Sequence, residues 1–219
     1  MFDDFKLIVT CEHARNDVPS FARNLEIPRE ILNTHRGYDI GAVELYDALV
    51  RKLKPDFYSA GRYSRLFIDL NRSLWNKSVF SEFWEHCAPA PLADDRTVAK
   101  YYALRKKAFA YYLDYRDSLE NFVGSSEKPI FHLAIHSFTP VLDGKERNAD
   151  VGVLYDPSRP WEKKIADVII DEIRSRAPEL KVCRNYPYQG KTDGLCTALR
   201  KISSSYAGFE IEFNQRLFR

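Results

Sequence analysis

Residues 6–10 read KLIVT, and the polar sequence CEH follows them directly. A short run this rich in apolar and β-branched side chains is typical of a buried strand. Two further runs of strand length, PIFHLAI at 129–135 and FEIEF at 209–213, are separated from it by segments with helical periodicity. This alternation of strand-like and helix-like segments predicts an α/β domain built of layers.

The rest of the chain fits the same alternation. Short apolar runs predict strands, and apolar residues that recur at helical spacing predict helices between them. The predicted strands lie at 56–59, 66–70, 151–155 and 180–183, and the predicted helices lie at 40–53, 94–122, 161–176 and 195–206. Long loops are predicted at 73–93 and 136–150, and long loops in compact domains often carry function.

Composition narrows the class of protein. The 219 residues suit one domain, 1–219, and a hydrophobic fraction of 45% excludes intrinsic disorder. The sequence lacks an apolar run of about 18 residues, which a membrane-spanning helix needs, and its start lacks the pattern of a secretory signal. A net charge of +2 gives no electrostatic reason to expect nucleic acid or an anionic membrane as partner. We therefore expect a cytoplasmic protein of one domain, and its oligomeric state stays open.

The four cysteines are scattered along the chain, without a C-x-x-C pair. A structural zinc ribbon or a disulfide scaffold would need closer, paired spacings. Most of these cysteines are therefore expected to be buried or unreactive thiols. Cys11 is of more interest because it lies two residues before His13.

Two histidines stand at the ends of predicted strands. His13 follows the first strand, and His136 follows 129–135. In open α/β sheets, ligands and catalytic groups gather at the carboxyl ends of the strands. On a strand His132 cannot share a metal with His136, because four residues at roughly 3.3 Å each separate them by about 13 Å. His136 is therefore the candidate ligand, and His132 is expected to be a hydrogen-bonded core histidine.

Carboxylates occur at comparable positions. Glu212 lies on the face of the last strand opposite Phe209 and Ile211, so it is either on the wet face of an edge strand or held over a site. Asp39 lies where a helix begins, so it is either an N-cap or a rigidly placed ligand. Two histidines and a carboxylate form a ligand set of catalytic zinc sites, and a nearby carboxylate can accept a proton from the activated water.

An amide and a guanidinium follow another apolar run. Asn71 and Arg72 come directly after 66–70. A guanidinium fork beside an amide suits a ligand carboxylate, whereas most arginines on protein surfaces are only solvated. The pair is therefore a candidate carboxylate clamp.

The order and spacing of these motifs resemble the N-formylglutamate amidohydrolase family over about residues 10–217. The matching positions are Glu12-His13, Asn16, Pro19, residues 35–42, Arg65, Asp69-Leu70-Asn71-Arg72, residues 136–140, Glu212 and Gln215-Arg216-Leu217. The Asp-Leu-Asn-Arg motif is also similar to the substrate-carboxylate motif of aspartoacylase and succinylglutamate desuccinylase. The chain departs from the family at Ala14-Arg15, where glycine often follows the histidine, and this departure concerns the substrate more than the chemistry.

The resemblance implies a zinc carboxypeptidase-like architecture of three layers, in which a mixed, mostly parallel sheet lies between helices. It also implies a hydrolase of linear amide bonds that uses one zinc ion and cleaves an N-acyl amino acid, with N-formylglutamate as the first candidate. The resemblance implies His13 and His136 as metal ligands. Carboxypeptidase-type sites take a third ligand from an H-x-x-E motif, but this chain has Asn16 at that position, and an amide is a poorer zinc ligand than a carboxylate. Asp39 is therefore the expected third ligand, with Glu12 or Asn16 as the alternatives.

The resemblance also implies roles for the other site residues. Glu212 would be the catalytic general base. Arg65 would stabilise the oxyanion, a role that Arg62 or Arg147 could also fill. The implied substrate-binding residues are Asn71, Arg72 and Arg147.

Three other functions are compatible with the sequence. The same scaffold could carry a zinc amidase that acts on a cell-wall peptide or on another acyl amino acid. A relative without the metal could bind carboxylates and catalyse nothing. A thiol hydrolase could pair Cys11 with His13, but residues two apart on a strand lie roughly 7 Å apart, beyond hydrogen-bond reach.

Overall fold

The structure, a computed structural model, describes residues 4–218. Its strands are β1 (Lys6–Cys11), β2 (Phe57–Ala60), β3 (Ile130–Phe138), β4 (Val141–Leu142), β5 (Lys145–Glu146), β6 (Val151–Leu154), β7 (Val182–Arg184) and β8 (Tyr206–Asn214). Six of them form a sheet in the order β2-β1-β3-β8-β6-β7, and β4 pairs with β5 in a small hairpin. Only the β8–β6 pairing within this sheet is antiparallel, so the predicted mixed, mostly parallel sheet is confirmed.

Helices connect the strands and complete the layers. The α-helices are α1 (Arg29–Leu32), α2 (Ala42–Leu53), α3 (Phe83–His86), α4 (Asp95–Gly124), α5 (Pro160–Arg176) and α6 (Leu195–Leu199). Short 3₁₀ turns occur at Ser20–Leu25, Lys77–Val79 and Gln215–Phe218. Within residues 4–218, no helix is both long enough and apolar enough to cross a membrane.

Local sequence accounts for the helix boundaries. α4 begins after Asp94, whose side chain accepts a hydrogen bond from the backbone N–H of Thr97 in the first turn. α5 has Pro160 in its first turn, where a missing N–H does no harm. The N-cap of α2 is Gly41, whose φ of 83° suits glycine. Because no side chain caps this helix, the Asp39 carboxylate does not serve as its N-cap.

Two apolar cores cover the two faces of the sheet. α2 and α5 pack on one face, where Val9, Ala166 and Phe209 are buried. α4 and α6 pack on the other face together with the segment around Phe67. Burial of apolar surface on both faces drives the assembly of the three layers.

Alternation along the strands determines which face carries the polar groups. Phe209 and Ile211 of β8 point to the α2 and α5 side, so Glu210 and Glu212 point to the α4 side. In the register of the sheet, His136 of β3 is paired with Glu212 of β8. Because β1, β3 and β8 are parallel to one another, their carboxyl ends meet at one edge.

The predicted strand at 66–70 is wrong. This segment is irregular: the N–H of Phe67 donates to the carbonyl of Ser64, and the N–H of Asp69 donates to the carbonyl of Val79. β1 already lies between β2 and β3, so the segment that follows β2 buries its apolar side chains beneath α4 instead of extending the sheet next to β1.

Three further boundaries differ from the prediction. The last helix ends at Leu199 instead of continuing to 206, and the turns at 200–205 lead from it into β8. The predicted loop at 73–93 contains a 3₁₀ turn and α3, and the predicted loop at 136–150 contains the end of β3 and the β4–β5 hairpin.

Candidate metal centre

A cavity of about 330 Å³ lies at the carboxyl ends of β1, β3 and β8. Its walls carry mostly titratable and polar side chains. They include His13, His35, Arg36, Asp39, Arg65, Asn71, Arg72, Glu82, His136, Tyr188, Glu210 and Glu212. Because charged groups of both signs surround it, the cavity suits a small, charged ligand.

His13, Asp39 and His136 converge at this cavity. Each offers one ligand atom, and the three atoms lie within 4.8 Å of one another. Oδ2 of Asp39 lies 3.5 Å from Nδ1 of His13 and 2.9 Å from Nδ1 of His136. The structure therefore brings together the three residues that were predicted to bind a metal.

Backbone contacts place Asp39 between two strand ends. Its N–H donates to the carbonyl of His13 at 2.9 Å, and its Oδ2 accepts a hydrogen bond from the N–H of Ser137 at 3.1 Å. The turn that leads to Asp39 requires glycine, because a Cβ on Gly37 would lie 2.1 Å from the carbonyl oxygen of Leu32. The loop therefore holds Asp39 against β1 and β3.

A second carboxylate lies at the far nitrogen of each imidazole. Oδ1 of Asp69 lies 2.7 Å from Nε2 of His13, and Oε2 of Glu12 lies 3.0 Å from Nε2 of His136. Carboxylates in this position fix the orientation and tautomer of metal-binding histidines. Glu12, considered as a substitute for Asp39, is thus placed behind His136 rather than beside Asp39.

The buried charges of this cluster shift one another's pKa. Burial raises the pKa of Asp69, but Arg65 and His13 together outweigh this effect and hold the pKa well below its usual range. Burial also raises the pKa of Glu12, yet the neighbouring His136 brings it down to about 2. Burial lowers the pKa of His136, but Asp39 and Glu12 raise it well above 6.5. The ionised carboxylates therefore favour a positive charge among them, which a metal cation or a proton on His136 can supply.

The donor set fits a divalent metal. The side chain of His13 is 3% exposed, and its Nδ1 has no hydrogen-bond partner within residues 4–218. A buried polar atom without a partner is unfavourable unless a ligand satisfies it. Two imidazoles and one carboxylate are ligands that zinc takes in catalytic sites, where a fourth position stays open for water. His13, Asp39 and His136 would hold such an ion.

Glu212 faces the same cavity from the neighbouring strand. Its side chain is 5% exposed, and its Oε2 has no hydrogen-bond partner in the part of the chain that the structure describes. Burial raises the pKa of Glu212 to about 8, with His136 opposing the shift and Asp39 adding to it. A carboxyl group with this pKa beside a candidate metal site suits proton transfer near neutral pH.

Arg65 lines the cavity next to two carboxylates of the site. Its Nη2 donates to Oδ2 of Asp69 at 2.8 Å, and its Nη1 lies 3.6 Å from Oδ1 of Asp39. These contacts hold the guanidinium beside the candidate metal position, where negative charge on a ligand oxygen would be stabilised.

Asn71 and Arg72 also line the cavity. Oδ1 of Asn71 accepts a hydrogen bond from the N–H of Leu195 at 2.7 Å, which leaves the amide NH₂ to donate to a ligand. Nη1 of Arg72 donates to the carbonyl of Asp193 at 2.8 Å, so its positive charge is not neutralised by this contact. The pair can therefore bind a carboxylate.

Three other predicted candidates lie outside the cluster. Arg147 donates to the hydroxyl of Tyr188 at 3.1 Å, so it supports the cavity wall through that residue. Arg62 lies on the surface, where 68% of its side chain is exposed. The side-chain amide of Asn16 donates to Asn33 at 2.8 Å. The side-chain amide of Asn16 is thus engaged with Asn33, whereas Asp39 lies beside both imidazoles.

Cys11 and His132 are core residues. The side chain of Cys11 is completely buried, and burial raises the pKa of its thiol well above the usual value, so it is a poor nucleophile. His132 lies 2.8 Å from the hydroxyl of Thr10 and 2.5 Å from that of Tyr206, as predicted for a hydrogen-bonded core histidine.

No individual role was predicted for Asp69 or Glu210. Glu210 could have been found from the alternation that places it on the same face as Glu212. Asp69 lies in irregular structure, and no periodicity of the sequence indicates its contact with His13.

A family model described as N-formylglutamate amidohydrolase matches residues 5–219. Among solved structures, the crystal structure of gene product Atu2144 from Agrobacterium tumefaciens is similar, with a TM-score of 0.71 and 24% sequence identity. The similarity covers 97% of this chain and 82% of that one, and it shows a shared fold. No curated protein matches the chain.

Proposed function

Since the chain belongs to the N-formylglutamate amidohydrolase family, we propose that it is a metal-dependent hydrolase that cleaves the amide bond of an N-acyl amino acid. N-formylglutamate, which would yield formate and glutamate, is the reference compound of this class. We propose zinc as the metal and a carboxypeptidase-like arrangement of the catalytic groups. The proposed catalytic unit is the whole chain, 1–219.

One observation carries the proposal. Ligand atoms of His13, Asp39 and His136 lie within 4.8 Å of one another, and Glu212 borders the same cavity from the strand next to His136. A buried carboxyl group beside a cluster of metal-ligating side chains is the arrangement that metal-assisted hydrolysis needs.

Glu212 is proposed to carry the proton. A zinc ion on the three ligands would polarise the acyl carbonyl and lower the pKa of water. Glu212 accepts a proton from the attacking water as the C–O bond forms, and donates it to the leaving nitrogen as the C–N bond breaks. A cation held by the three ligands would lower the pKa of Glu212 from about 8 and so favour the ionised carboxylate that accepts this proton.

The arginines and Asn71 are proposed to orient the substrate. Arg65 stabilises the negative charge that develops on the acyl oxygen. Arg72 and Asn71 bind the carboxylate of the amino acid, so the amide is held in place for attack. Arg147 contributes indirectly, because it positions the side chain of Tyr188 in the cavity wall.

The test is an assay of primary amine release from N-formylglutamate and other N-acyl amino acids. Protein dialysed against a chelator is expected to lose activity, and added Zn²⁺ is expected to restore it. Activity that is unchanged in chelator would contradict metal dependence. Tight binding of the acyl amino acids without cleavage would favour a non-catalytic carboxylate-binding protein, and cleavage of long peptides in preference would favour a peptide amidase.

A further inference from the structure

A second glutamate faces the cavity at a deeper level than Glu212. Both glutamates lie on the same face of β8, where Glu212 pairs with His136 and Glu210 pairs with Ala134. Two residues along a strand correspond to about 7 Å, so Glu210 lies further from the strand ends. Glu210 also lines the cavity, and the proposed reaction makes no use of it.

The surroundings of Glu210 leave its carboxylate available to a ligand. A Cβ on Gly194 would lie 3.2 Å from Oε1 of Glu210 and 3.2 Å from Oδ1 of Asn71, so the absence of a side chain there keeps space beside both oxygens. Within the described part of the chain, no hydrogen bond or ion pair joins the Glu210 carboxylate to another residue. Burial raises the pKa of Glu210, as expected for a carboxyl group that the protein itself does not satisfy.

The cations near Glu210 do not form an ion pair with it. Arg200 is bound to Glu162 at 2.9 Å. Arg72 donates to the neutral carbonyl of Asp193, and it is close enough to Glu210 to influence its charge. The cavity therefore presents an unpaired cation and an unpaired carboxylate to the same ligand.

We infer that Glu210 selects the leaving amino acid by accepting a hydrogen bond from its side chain. The preferred substrate then carries a carboxylate for Arg72 and Asn71 and a separate donor for Glu210, a primary ammonium group above all. The substrate class is an N-acyl amino acid with a basic or amide side chain. N-formylglutamate fits this class less well, because its second carboxylate would face the charge of Glu210. The inference rests on the proposed function and specifies its substrate.

The size of the effect follows from the chemistry of a half-buried acceptor without a protein partner among residues 4–218. A site built to accept a hydrogen bond discriminates against a ligand without the donor, because the acceptor then stays unpaired. Hydrogen bonds to charged groups correspond to roughly ten- to a hundredfold in affinity. We expect at least a tenfold preference in kcat/KM for N-formyl-lysine or N-formylornithine over both N-formylglutamate and the apolar N-formylnorleucine.

The experiment compares these formyl amino acids and N-formylglutamine at one pH with the zinc-loaded protein. Glu210→Gln is expected to reduce the preference for basic side chains at least tenfold. Glu210→Asp keeps the negative charge, so this variant is expected still to prefer basic over acidic and apolar side chains. Glu82→Gln is the matched control. It removes one negative charge from the cavity wall, but at a glutamate already paired with Arg36, so the preference should persist.

The outcomes separate the two proposals. If the wild type cleaves formyl amino acids but prefers glutamate, or treats lysine and norleucine alike, the role of Glu210 is overturned and the hydrolase proposal stands. The same holds if Glu210→Gln folds and keeps the wild-type preference. If no compound is cleaved, the hydrolase proposal fails. Calorimetry with free lysine and glutamate then tests Glu210 separately: tighter binding of lysine supports its role, and tighter binding of glutamate overturns it.

Discussion

The imidazole rings of His13 and His136 lie with their centroids 5.1 Å apart, although the two residues belong to distant parts of the chain. β1 and β3 are parallel neighbours, which carries both rings to the same edge of the sheet. Each ring has Nδ1 toward Asp39 and Nε2 toward a second carboxylate. Because these contacts orient both rings in advance, a cation can bind with little rearrangement.

Replacing His136 with alanine is expected to abolish stoichiometric metal binding, because it removes one of three ligands and leaves two carboxylates without their imidazole. The measurement is metal content by mass spectrometry after dialysis of purified protein. His35→Ala is the control, since His35 lines the same cavity outside the three-residue cluster and this variant should keep its metal. Equal metal content in His136→Ala and wild type would contradict the assignment.

The Glu212→Gln variant is expected to retain its metal and lose roughly 10²- to 10⁴-fold in kcat, because glutamine has a similar shape but cannot accept the proton. Metal content and kcat are measured on the same preparation. If kcat stays near the wild-type value while the metal is bound, Glu212 is not the general base.

Glu12→Gln is expected to weaken metal binding about 10- to 100-fold, because the carboxylate no longer supports His136 from behind. Glu12 also accepts a hydrogen bond from the hydroxyl of Tyr115 at 2.9 Å. Tyr115→Phe keeps the carboxylate, so its effect on metal affinity should be smaller. Competition with a chromophoric chelator measures both affinities, and a wild-type affinity in Glu12→Gln would argue against a supporting role.

His132 is expected to make stability depend on pH in the acid range. Burial lowers its pKa from 6.5 to about 4, so between these values the unfolded chain binds a proton that the folded chain does not. This contribution to stability is complete above pH 6.5 and is lost progressively as the pH falls toward 4. Between pH 7 and pH 5 the loss amounts to about 2 kcal/mol at 1.36 kcal/mol per pKa unit.

The measurement is urea unfolding of wild type and His132→Gln at pH 7 and pH 5, both in excess chelator so that metal binding does not contribute. His136, whose pKa is raised, responds to acid with the opposite sign, so only the difference between the two proteins is informative. The difference in free energy of unfolding between wild type and His132→Gln should be smaller at pH 5 than at pH 7. A gap that is constant with pH would show that His132 does not titrate in this way.

Much of the site could be predicted from local patterns. The short apolar run at 129–135 indicated a strand. On a strand, His132 and His136 lie too far apart to share a metal, which identified His136 as the candidate ligand. The structure agrees, with His132 hydrogen-bonded in the core. The cytoplasmic location and the small-molecule partner stay predictions.

The strand predicted at 66–70 shows where such patterns fail. An apolar run indicates that its side chains are buried, and the side chains of this segment are buried. Side chains can be buried beneath a helix as well as within a sheet, so the run does not by itself indicate a strand. The contacts of Asp69 with His13 and Arg65 arise from that irregular path. Periodicity carries no information about them.

The alternation of strand-like and helix-like segments by itself determined that this chain forms a layered α/β fold, and the ends of the apolar runs marked the polar residues that follow the strands. Only the tertiary structure decided that Asp39 faces both imidazoles while Glu12 and Asp69 lie behind them. The physical reason is that these contacts join segments distant in the chain, and the direction of each carboxylate depends on how the connecting loops pack against the strand ends.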